Sequence, residues 1–133
     1  MKPDRYSELS MLWISRAKDD LSWANDSFDD KHYGGVCFLS QQIAEKSLKA
    51  YLFSKKQKLI RTHSLIRLLQ LCIDFNNNFV ELKDSLQILD DYYVDTRYPD
   101  MWDRYPFENE NMARDALIEA EKVFLFVQDK LSS

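Results

Sequence analysis

A chain of 133 residues, 45% hydrophobic and 30% charged, is one domain with enough apolar content for a core, which excludes a disordered segment. Two glycines and three prolines supply too few turn signals for a β-sandwich or barrel. No apolar run reaches the roughly 18 residues of a membrane span, and the opening MKPDRYSELS lacks an apolar signal-peptide core, so the expected location is cytoplasmic.

The net charge of −4 conceals a segregation. Between Glu45 and Asp74 there is no acidic residue, while Lys46, Lys49, Lys55, Lys56, Lys58, Arg61 and Arg67 give seven positives. The rest of the chain then carries eleven bases against 22 acids. Such a divided field attracts phosphate or an acidic partner, whereas the acidic total weighs against broad binding to duplexes. A plainer reading is that these lysines solubilise a helix end and its loop.

Helical periodicity runs nearly throughout. Trp13, Ala17, Leu21, Ala24 and Phe28 form one stripe of a helix over about residues 6–28. A second helix places Val36, Ser40, Ile43, Ala44, Ser47, Leu48, Tyr51 and Leu52 on one face, with small residues at 40, 44 and 47 for close helix approach, and Glu45 four residues before Lys49 as a helix ion pair. After SKKQKLIRTH, Thr62 is the expected cap of a third helix carrying Leu65, Leu68, Leu69 and Cys72. Asn78 with Glu81 resembles a capping box that opens a fourth helix bearing Phe79, Leu82, Leu86, Leu89 and Tyr93. Asn109 is the expected cap of a last helix with Met112, Ala116, Ala120, Val123, Phe124 and Val127 inward. The expectation is one all-α domain over 1–133, an up-and-down bundle of about five helices. Cys37 and Cys72 fall within apolar helical patterns and read as buried thiols.

Few residues carry obvious chemistry. His32 and His63 are the only histidines, and neither has a partner at zinc-ligand spacing, so no metal and no cofactor is expected. Asp91 and Asp95 are four apart on a helix and more often solvated than ligating. The richer stretch is YYVDTRYPDMWDRYPF, residues 92–107, where Arg97 and Arg104 lie among Tyr92, Tyr93, Tyr98, Trp102 and Tyr105 with Asp95 and Asp100. Arginine offers a fork for phosphate, and the rings offer faces for a base. Pro99 should stop the fourth helix near Arg97. A structural alternative has Tyr98 and Trp102 plugging the bundle end, with Arg97 paired to Asp95 or Asp100.

The run YGGVCFLSQQIAEKSLKAYLFSKK, then RTHSLIRLLQLC, then YYVDTRYPD and a final amphipathic helix, resembles the HEPN domain family over about residues 10–131. The resemblance implies an all-α bundle, commonly a homodimer, in prokaryotes often encoded beside a minimal nucleotidyltransferase in a toxin–antitoxin-like pair. It also implies nucleotide or RNA binding. In many members it further implies metal-independent ribonuclease activity from an arginine followed, after four to six intervening residues, by a histidine, two copies forming one composite site. Here the positions after Arg97 at that spacing hold Trp102, Asp103 and Arg104, so the motif is incomplete.

The sequence therefore leaves enzymatic activity undecided and favours a binding role. Arg97, Tyr98, Asp100 and Trp102 are the expected ligand contacts, with Lys46, Lys49 and Arg61 supplying field. If the protein is a divergent ribonuclease toxin, Arg97 and His63 carry the chemistry, provided the start of the third helix approaches Arg97. A third reading is a non-catalytic helical interaction scaffold.

Overall fold

The computed structural model describes residues 4–92 and 109–132, and the stretch with Arg97, Tyr98, Asp100 and Trp102, together with Tyr93 and Asp95, lies outside them. Among the described residues there are five α-helices, one 3-10 segment and no strand. They form the expected all-α bundle.

Helix α1 runs Arg5–Asp29. Its start is fixed by Asp4, whose carboxylate accepts the Ser7 backbone N–H at 2.8 Å. That backbone hydrogen bond holds the Asp4 carboxyl below its ordinary pKa. Ala17 and Ala24 are fully buried and bring the α1 backbone close to α2, Tyr33–Ser54. The two helices are antiparallel, since Ser10 Oγ donates to the Ala50 carbonyl at 2.8 Å while Phe28 meets Tyr33 edge-on at 5.7 Å. Helix α2 is the centre of the bundle. From Val36 to Phe53 most of its residues are buried on every side, because α1, α3 and the last helix all pack on it.

Both ends of this hairpin close with a lysine in the left-handed region, Lys31 at φ 65° and Lys56 at φ 61°. The His32 N–H reaches back to the Ser27 carbonyl, and the Gln57 N–H to that of Leu52. Each is a Schellman closure that usually recruits glycine.

Helix α3 spans Leu65–Phe75. The expected cap at Thr62 is corrected to Ser64, whose hydroxyl accepts the Arg67 N–H at 3.2 Å. Thr62 instead accepts the Ser64 N–H at 3.2 Å and shapes the approach to the helix. The expected capping box at Asn78 is likewise corrected. Asn76 accepts the Asn78 N–H at 3.0 Å and opens a 3-10 segment, Asn77–Leu82, which leads into α4, Lys83–Asp90. An asparagine run satisfies backbone donors locally, and the tighter turn wins where Phe79 must be driven inward. Phe79 is fully buried, 4.4 Å from the Tyr51 ring and 5.0 Å from Phe126.

Helix α5, Glu110–Leu131, begins at Asn109 as expected, with the side chain accepting the Met112 N–H at 3.1 Å. Cys37 and Cys72 are buried free thiols, and burial pushes the Cys72 thiol pKa well up. No described helix is long and apolar enough to cross a membrane.

Candidate functional site

Residues 57–64 cross from the end of α2 to the start of α3 without regular structure and fold back along α2. Two polar side chains on α2 hold them there. Gln41 Nε2 donates to the His63 backbone carbonyl at 3.2 Å, and His63 Nδ1–H donates to Glu45 Oε1 at 2.9 Å. The other Glu45 oxygen takes Lys49 Nζ at 3.0 Å. The far end of the connection is pinned by Asp90 on α4, which accepts the Leu65 N–H at 2.8 Å.

The electrostatics follow from burial. Gln41 is fully buried, and Glu45 and Lys49 are only 5% and 6% exposed. A carboxylate so placed is tolerable because cationic and neutral donors satisfy both oxygens. The His63 side chain, by contrast, is 55% exposed. A buried carboxylate thus orients an imidazole at the protein surface through its Nδ1. His63, Arg61 and Thr62 line a cleft of about 340 Å³ whose floor is Glu45, Lys49 and Trp13. Lys49 Nζ also lies 5.6 Å from the Trp13 ring centroid.

The basic window is therefore less available than its sequence suggests. Lys49 is spent on Glu45, and Lys46 pairs with Asp20 on α1 at 2.5 Å. Arg61 is exposed and has no ion-pair partner among the described residues, which makes it the cation that this cleft offers to an anion. Arg61, His63 and Lys49 are brought together in one cleft, and Lys46 lies on its α1 side. Arg97, Tyr98, Asp100 and Trp102 fall outside the described residues. No group of His, Cys, Asp or Glu among the described residues is arranged to hold a metal ion.

Gln41 and Glu45 were missed as site residues. Their signal was faint: both stand among the small and apolar positions Ser40, Ile43, Ala44, Ser47 and Leu48 of α2, but Gln42, Lys46 and Lys49 beside them are polar too. Buried polar side chains of this kind need hydrogen-bond partners, which the connection to α3 supplies.

An all-α bundle with a polar cluster buried on its central helix defines the class. The HEPN domain family matches residues 10–130, and the chain belongs to that family. It is similar, at 26% identity over 132 residues covering 90% of this chain and 86% of the relative, to a protein of Methanocaldococcus jannaschii named "Putative toxin MJ1304". Its fold is similar to that in the crystal structure of TT1696 from Thermus thermophilus, with a TM-score of 0.75, 30% identity, and 91% and 97% of the two chains covered. It is also similar to ST0689, an archaeal HEPN homologue, with a TM-score of 0.72, 28% identity, and 91% and 96% covered.

Proposed function

We propose that this protein is the homodimeric, nucleotide- or RNA-binding HEPN component of a toxin–antitoxin-like pair with a minimal nucleotidyltransferase. Family membership and the name of the Methanocaldococcus relative support the toxin–antitoxin-like setting. The observation that carries the binding role is the cleft at residues 61–63. There a guanidinium with no ion-pair partner among the described residues stands beside a fixed imidazole over a neutralised floor. A guanidinium is suited to a phosphate because its donors form a planar fork. In this reading Arg97 and the rings of Tyr98 and Trp102, with Asp100, complete the ligand contacts, while Lys46 and Lys49 shape the field and the floor.

Titration of a fluorescent single-stranded RNA tests this reading. Arg61→Ala and Arg97→Ala should each weaken binding about tenfold, a loss of about 1.4 kcal/mol. Each should also lower the salt slope by about one phosphate contact. Unchanged affinity in both variants would refute the role.

The Glu45–His63 pair favours a second reading, a metal-independent ribonuclease in which His63 acts as general base on the 2′-hydroxyl. In that case wild-type protein cleaves single-stranded RNA in chelator-treated buffer and His63→Ala does not. RNA left intact by wild-type protein removes this reading and leaves the binding role standing.

A further inference from the structure

Helix α1 has a second stripe that faces away from the core. Leu12, Arg16, Asp19 and Trp23 follow one another at steps of four, three and four, so they share one face, away from the buried Ala17 and Ala24. Leu12 is 46% exposed and Trp23 is 63% exposed. A large aromatic left this bare on a regular helix is the residue type that anchors interfaces. Neither Arg16 nor Asp19 has an ion-pair partner among the described residues. Beside Leu12 the surface is hollowed to about 250 Å³, lined by Leu12, Trp13, Arg16 and Lys46.

These features are complementary to themselves. A twofold axis perpendicular to α1 between residues 17 and 18 sets two α1 helices antiparallel. The register that places Leu12 against the partner's Trp23 also places Arg16 against the partner's Asp19. Each contact then occurs twice, apolar on apolar and cation on anion. The hollow beside Leu12 lies where the partner's Trp23 arrives, and Arg16 on its rim meets the indole face as well as the carboxylate. We infer that this face of α1 is where a second copy of the chain docks, with Trp23 of each copy seated in the hollow beside Leu12 of the other.

The docking face touches the candidate site. Trp13 lines both the hollow and the cleft of Arg61 and His63, and Lys46 on the hollow's rim is tied to α1 through Asp20. The axis therefore carries the clefts of both copies close to one another, giving a joint groove with two Arg61 and two His63. Helix α5 also exposes two apolar residues, Ile118 and Leu125, but its groove adjoins Phe28 and Arg114 rather than the cleft. The inference rests on the dimeric reading above and adds the face.

The test is charge exchange read by sedimentation. Arg16→Glu sets two carboxylates together at each contact, and Asp19→Arg sets two guanidinium groups together, so each variant alone should be monomeric where wild type is dimeric. An equimolar mixture of the two restores opposite charges at both contacts and should return to dimer mass. Trp23→Ala should weaken the dimer at least tenfold, whereas Leu125→Glu on α5 should not alter it. All four positions are exposed or on an exposed face, and unchanged far-ultraviolet circular dichroism checks that folding is intact. Wild-type protein that stays monomeric would overturn the dimeric reading and the face together. A dimer that survives Arg16→Glu, a mixture that fails to pair, or dissociation by Leu125→Glu alone would overturn the face and leave the dimeric reading intact.

Discussion

Glu45 shows how much one buried carboxylate can organise. It accepts from Lys49 and from His63 at once, and Gln41 Nε2 approaches the same carboxylate at 3.5 Å. Removing its charge leaves the Lys49 ammonium in a nearly dry site, which typically costs about 3–5 kcal/mol. Glu45→Gln should therefore lower the urea midpoint strongly, while Glu45→Gln with Lys49→Met should recover part of that loss, because no unpaired charge remains. Equal stability of the single and double variants would show that Lys49 finds another partner. Cys72 makes a different prediction at the same scale. Burial raises its thiol pKa, so the stability contributed by the neutral thiol is fully present below the unfolded pKa of 9.0 and is lost as pH rises from there toward the raised folded value. Native protein at about pH 8.5 should resist iodoacetamide, and urea-unfolded protein should take two labels. Rapid labelling of the native protein would contradict the burial described.

Among the elements, the helix ends were harder to read than the helices. The apolar stripe of α1 and the cap at Asn109 were legible, because periodicity and a capping side chain point the same way. The start of α3 was not. Thr62 and Ser64 are both competent caps, and the choice is made by Gln41, which holds the carbonyl of His63 and leaves the helix to begin after it. The Asn76–Asn78 run had the same ambiguity, resolved by the burial of Phe79. The two lysines in the left-handed region were not foreseeable from composition, since glycine is the usual occupant. Their strain can be measured. Lys56→Gly should stabilise the protein by about 0.5–1 kcal/mol by relieving the side-chain clash, offset in part by the greater freedom of the unfolded chain. A destabilised Lys56→Gly variant would mean that the Lys55–Lys58 turn draws support from its side chain, for which the 5.5 Å approach of the neighbouring Lys55 to Tyr51 is a precedent.

For the molecule as a whole, fold class and family were legible over nearly the full length, while the working surface was not. A basic window can be counted in a sequence, but the side chains that neutralise it are chosen by the fold: Asp20 on α1 for Lys46 and the same-helix Glu45 for Lys49. Among the described residues Lys55, Lys56, Lys58, Arg61 and Arg67 of the window keep no ion-pair partner, and of these Arg61 lines the cleft between α2 and its return connection, beside an oriented imidazole. The histidines allow this surface to be addressed directly, because His63 lines the cleft and His32 precedes α2, nine residues before Gln41, or roughly 13 Å of helix. Proton NMR of the two imidazoles during titration with a short single-stranded RNA is the most direct measurement. If the cleft binds RNA, the His63 signals shift in proportion to bound ligand while those of His32 stay in place; movement of His32 alone, or of neither, would contradict it.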